Sequence, residues 1–161
     1  MTQAIANPAH TLDDELAGAR RLLALLQQEK QHLLDADVER LEHLSGEKAA
    51  VVAHLFELAT RRNNDLRACG YRGAREDMQA WLDSIPTSDP GFGAVRKRWA
   101  DLLEVTGSAK ELNRINGLLI GTHMARNQNA LNALLAVSDT GNLYGPNGQP
   151  GKSGLGRGIV A

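Results

Sequence analysis

Between residues 12 and 62 leucine recurs at alternating steps of three and four. Leu12, Leu16, Ala19, Leu23, Leu26, Lys30 and Leu33 form one row. Leu41, Leu44, Lys48, Val51, Leu55, Leu58 and Arg62 form a second. At 3.6 residues per turn, each row falls on one face of a helix, and that face has to be covered. A half-buried strand would alternate with period two, and neither row does. The pattern predicts two amphipathic helices packed through a leucine seam. Leu22, Leu25 and Leu34 widen the first stripe, so the first helix is expected to meet more than one neighbour.

The remaining chain agrees with this class. Only 4% of the 161 residues are aromatic, against 42% hydrophobic in total. A sandwich or barrel draws on β-branched and aromatic side chains instead. The expected fold is all-α: a bundle of three to four long antiparallel helices with coiled-coil packing, followed by a flexible Gly-rich tail. Residues 1–10 read as a loose lead, 11–136 as the helical bundle domain, and 137–161 as the disordered tail.

Local signals set the expected boundaries. Thr11 is placed to cap the first helix, with Asp13, Asp14 and Glu15 favouring its positive end. Asp35-Ala36-Asp37 breaks the pattern, and either aspartate can cap a second helix. So short a link implies an antiparallel hairpin. The second helix runs to about Cys69, where Gly70 is a natural stop. A short helix through Met78, Trp81 and Leu82 precedes the turn residues Ile85 to Gly91. From Gly91 to Ala136 the chain is helical again. Val95, Trp99, Leu102 and Thr106 continue the heptad, while Ser108 and Glu111 form a capping box that leaves one helix or two equally open.

Several function classes find no support. Lys and Arg number 18 against 19 Asp and Glu, a formal charge of −1, so the basic excess of a nucleic-acid binder is missing. No run approaches the roughly 18 apolar residues that span a bilayer, and no signal peptide is evident. Cys69 is the single cysteine, which excludes an internal disulfide and a cysteine-rich zinc site; it reads as a partly buried structural thiol. His10, His32, His43, His54 and His123 include no pair at the i, i+4 spacing of a helical zinc site. Gly151-Lys152-Ser153 lacks the earlier glycine of a phosphate loop, since residue 146 is proline. His43 lacks the Lys and Gly that follow a phosphotransfer histidine at three and four residues, where Gly46 and Glu47 stand instead. No catalytic residue, metal ligand or cofactor is expected. Lys30, Lys48 and Arg62 are expected to snorkel at the core edge.

The last helical segment carries more information. Asn113, Asn116, Asn127, Asn129 and Asn132, with Gly117 and Gly121, make it a weak helix former. Leu112, Ile115 and Leu119 form one stripe. Ile120, Met124, Asn127, Leu131 and Leu134 form another, displaced around the cylinder. The second stripe either closes the chain's own core or receives a partner helix. Leu143 and Tyr144 stand alone in a tail rich in Gly and Pro, which suits a short docking motif that orders on binding.

The segments Asn113-Arg114-Ile115-Asn116-Gly117-Leu118-Leu119-Ile120, Asn127-Gln128-Asn129-Ala130-Leu131-Asn132-Ala133-Leu134 and Leu143-Tyr144-Gly145-Pro146-Asn147-Gly148-Gln149 resemble the FlgN family of bacterial flagellar export chaperones. The resemblance implies a cytoplasmic, cofactor-free helical protein that is not an enzyme and not membrane-inserted. It implies binding to the C-terminal regions of the two hook–filament junction proteins. It also implies their protection from premature assembly and delivery to the export gate of the flagellar type III apparatus. On that reading Ile115, Leu119, Ile120, Met124, Leu131 and Leu134 contact cargo, while Leu143 and Tyr144 contact the export gate. The competing readings are a structural coiled-coil adaptor without export cargo and a histidine phosphotransfer bundle.

Overall fold

A computed structural model describes the backbone of residues 5–141 and the side-chain surroundings of residues 5–136. Among the described residues the chain forms four helices and no strand: α1 (Leu12–Asp35), α2 (Val38–Ala68), α3 (Arg75–Asp83) and α4 (Phe92–Gly141). The chain divides into two compact units, Met1–Leu119 and Ile120–Ala161. The expected tail beyond Gly141, with Leu143, Tyr144 and Gly151-Lys152-Ser153, lies outside the described residues.

In the first unit, α1 and α2 form the expected hairpin. Ala36 takes a left-handed backbone, φ 55°, and the Asp37 amide donates to the His32 carbonyl at 3.0 Å. This closes α1 as a Schellman turn, in which the final carbonyls find donors beyond the helix end. Asp37 then caps α2, accepting the Arg40 amide at 3.2 Å. At the far end Gly70 adopts φ +90°, and the Tyr71 amide returns to the Leu66 carbonyl at 2.9 Å. A left-handed residue is required there, and glycine takes it without the steric cost of a Cβ.

Thr11 does not cap α1 as expected. Its hydroxyl donates to Glu15 Oε1 at 2.7 Å, and its side chain makes no capping bond. The hydroxyl turns to the buried Glu15 carboxylate in a charge-assisted bond, and the Thr11 backbone (φ −92°, ψ −9°) is already helical rather than in the extended conformation of a capping residue.

The direction of packing follows from long-range pairs. Glu15 meets Arg62, and Glu29 meets Lys48, so α1 and α2 are antiparallel. Gly18 lets them approach closely: a Cβ there would stand 2.8 Å from Leu55 Cδ2. On α4, Arg98 pairs with Asp13 at 2.6 Å, and Asn116 reaches the Leu26 carbonyl at 2.9 Å. The first part of α4 therefore runs parallel to α1 and antiparallel to α2.

The core joins Leu12, Leu16 and Ala19 of α1, Leu66 of α2, Met78 and Leu82 of α3, and Trp99 and Leu102 of α4. Burying a side chain of this size contributes about 1.5–3 kcal/mol before entropy is counted. α3 is short but central, because Met78 and Leu82 are almost fully buried. α4 reaches its end, where Arg96 Nη2 donates to the Leu82 carbonyl at 3.0 Å and, two residues past the helix, to the Ile85 carbonyl at 2.6 Å. The guanidinium also favours the negative helix end.

α4 passes through Thr106-Gly107-Ser108 as one helix. The Ser108–Glu111 capping box does not form. The Thr106 hydroxyl donates back to the Leu102 carbonyl at 2.8 Å, and Glu111 pairs with Arg114 at 2.8 Å. With both side chains satisfied inside the helix, nothing favours a break.

Candidate partner-binding site

The second unit begins at Ile120, in the course of α4. Ile120, Met124, Leu131 and Leu134 are exposed, with Met124 and Leu134 each at 67%. Leu135, absent from the expected set, is also exposed. At 100° per residue, Ile120, Met124, Asn127, Leu131 and Leu134 fall within an arc of about 80°, and Leu135 extends it on one side. Arg126 is the one Asp, Glu, Lys or Arg between Ile120 and Ala136. A water-facing helix ordinarily carries charge on most turns. An exposed apolar arc this weakly charged is a candidate interaction surface. Gln128 Nε2 donates to Asn132 Oδ1 at 3.2 Å, a bond within the helix that supports the asparagine-rich turns.

Ile115 and Leu119 differ from the other four expected contacts. Both are half-buried and belong to the first unit. Asn116 between them is buried, its amide donating to the Leu26 carbonyl and, at 2.8 Å, to Glu29 Oε2. Glu29 Oε1 receives Lys48 Nζ at 2.5 Å. One carboxylate thus joins a cation of α2 and an amide of α4 to α1. Asn116 was expected only as a poor helix former. Leu102, Ala109 and Asn116 follow one another at steps of seven, and that spacing is the signal that Asn116 shares their inward register.

A second polar cluster lies among the core leucines. Arg62 does not snorkel, as its side chain is only 9% exposed. Its Nε donates to Glu15 Oε1 at 3.0 Å, and its guanidinium carbon sits 5.1 Å from the centre of the Trp99 ring. Charge pairing and the ring face together replace water around a cation that burial would otherwise expel. Lys48, one-fifth exposed, stays at the core edge with Glu29, and Lys30 is half-buried.

The other candidate residues are surface features. His43 is exposed, and its Nδ1 faces Glu47 Oε1 at 3.3 Å; that carboxylate would repel a phosphate on the ring. Cys69 is exposed rather than partly buried, because it sits past the last turn of α2, with Sγ 3.9 Å from the Ala6 carbonyl. No group of three or more His, Cys, Asp or Glu among the described residues is placed to hold a metal ion. No helix of the described residues is long and apolar enough to cross a membrane.

A helical hairpin locked by buried ion pairs, together with a helix segment offering an apolar face to solvent, defines an all-α protein built around helix-to-helix contact. The chain belongs to the FlgN family: the family model described as FlgN protein matches residues 1–152. It is 27% identical over 143 residues to the flagella synthesis protein FlgN of Proteus mirabilis, covering 89% of each chain. It is 29% identical over 151 residues to the protein of the same name from Yersinia enterocolitica, covering 92% of each. No solved structure matches the chain.

Proposed function

We propose that this protein is a cytoplasmic chaperone of flagellar type III export and carries no catalytic activity. Its cargo is the C-terminal region of the hook–filament junction proteins. It covers their assembly surface until delivery to the export apparatus.

The observation that carries this reading is the exposed face of Ile120, Met124, Leu131 and Leu134 in a chain of a flagella synthesis family. A terminus that later assembles by helix packing has an apolar face to hide. An apolar helix face with anchors at i, i+4, i+11 and i+14 is a complement to it. Asn127 within the stripe and the unbranched Met124 keep the contact moderate and adaptable, which suits release at the gate. Leu143 and Tyr144, further along the chain, are assigned to docking on that gate.

Calorimetric titration of the full-length protein with the C-terminal segment of a junction protein tests the reading. A saturable complex in the micromolar range or below, about −8 kcal/mol or better, is expected. If neither junction protein binds a folded sample, the coiled-coil adaptor takes its place.

A further inference from the structure

Helix α2 carries an apolar face that its own fold leaves uncovered. Val52 is 49% exposed and Phe56 74%, with Ala49 and Ala53 exposed beside them. At 100° per residue, Ser45, Ala49, Val52, Phe56, Ala59 and Asn63 fall within an arc of about 80°. The buried positions of α2, Leu44, Leu58, Arg62 and Leu66, lie to one side of this arc. At its other edge the Thr60 hydroxyl donates to the Phe56 carbonyl at 2.8 Å, so that polar group is satisfied within the helix.

The row is a palindrome. Its steps are four, three, four, three and four, and its residues run polar, small, large, large, small, polar. It presents the same order of sizes when read from either end. Such a row is complementary to itself across a two-fold axis near residue 54, which is what an isologous interface requires. Around that axis Phe56 of one copy meets Val52 of the other. Ala49, Val52, Ala53 and Phe56 stand at i, i+3, i+4 and i+7, the four corners of a hole that receives a knob. Two of those corners are alanine, which leaves room for a phenyl ring.

The charges flanking the row agree with the same axis. Glu42 and Arg67 are both exposed, lie on the Ala53 side of the row, and are almost equally far from residue 54. An antiparallel two-fold sets Glu42 of each copy beside Arg67 of the other. A parallel pairing would set like charge against like, which is unfavourable. Neither charge is neutralised within one chain. Glu42 makes no ion pair among the described residues, and Arg67 donates to the neutral oxygens of Asn64 and Arg72.

We infer that a second copy of this chain covers the face, as a two-fold dimer in which the two α2 helices run antiparallel. Every residue involved belongs to the first unit, and no cargo takes part, so the inference is independent of the chaperone reading.

Sedimentation equilibrium of the full-length protein alone, over a concentration series, tests it. A reversible rise to twice the mass of one chain is expected. Phe56→Asp, at an exposed position, is expected to weaken the dimer at least tenfold while the helical circular dichroism stays unchanged. Glu42→Arg and Arg67→Glu should each weaken self-association. An equimolar mixture of those two variants should pair again, because both contacts then unite opposite charges. A monomer at every concentration overturns the inference, and a loss of junction-protein affinity in Phe56→Asp would then give the face to a foreign helix. A dimer that survives Phe56→Asp but yields to Leu131→Asp with Leu134→Asp is held by α4, and this overturns it too. Charge variants that stay weak after mixing overturn the antiparallel arrangement.

Discussion

Asn116 Nδ2 and Glu29 Oε2 lie 2.8 Å apart, although 87 positions separate the two residues in the chain. The contact is buried and charge-assisted. It fixes the register of α4 on α1 in a way that sliding leucines alone would not. Replacing Asn116 with Ala leaves the Leu26 carbonyl and one carboxylate oxygen without this donor. The expected loss is about 1–3 kcal/mol, read as a lower urea midpoint with an unchanged slope.

Arg62 and Glu15 are buried together, so removing one strands the other. Arg62→Ala is expected to cost about 3–5 kcal/mol. Adding Glu15→Ala to that variant should return part of the loss, because the unpaired carboxylate is removed as well. Urea unfolding of the two single variants and the double variant measures the coupling. A double variant less stable than Arg62→Ala by the full cost of Glu15→Ala would show that the two residues act independently.

Leu131 and Leu134 are exposed, so stability and binding are separable there. Changing both to Asp is expected to shift folding stability by no more than about 0.5 kcal/mol per site. Binding of a junction-protein C-terminal segment should weaken by about 2 kcal/mol or more, roughly thirtyfold. Unchanged calorimetric affinity would remove the stripe from the cargo site.

Tyr144→Ala addresses the assigned gate contact. Cargo affinity is expected to stay at the parent value while secretion of the junction proteins falls. Normal secretion would show that the tail motif has no part in docking.

Glu111 has its carboxyl held below the usual carboxylate range by the hydrogen bond from Arg114, which also adds its charge. A depressed folded-state pKa means that the pair contributes above the ordinary glutamate range. Its contribution fades as pH falls through the lowered value. Arg114→Gln should therefore move the Glu111 titration upward, as followed by carboxyl-carbon NMR. The pair is fully exposed on α4, so little change in overall stability should accompany the shift.

The leucine rows made the hairpin legible, because period alone distinguishes a helix face from a strand face. Asp37 and Gly70 were legible too, since capping and left-handed turns depend on neighbouring residues. Arg62 was not. Its place in the row shows an interruption, but the acid that neutralises it is Glu15, 47 residues away. Thr11 was misplaced for the same reason, since its hydroxyl answers to the buried Glu15 rather than to its own helix start. The continuity of α4 through Gly107 was left open because propensity and capping signals are both local. The contacts of Trp99 and Leu102 with α1 and α3 that hold this stretch are not. The displaced stripe from Ile120 was visible as a change of phase, whereas its exposure, and that of Leu135, required the structure.

Ala36 and Asp37 alone join α1 to α2. So short a loop costs little entropy to close, and short-range contacts form early. During synthesis both helices of the hairpin leave the ribosome before α4 does. Glu15 can find Arg62, and Glu29 can find Lys48, while Trp99 and Asn116 are still to come. The order of the chain thus assembles the charged seam first and seals it afterwards, with the apolar face of residues 120–135 emerging later still.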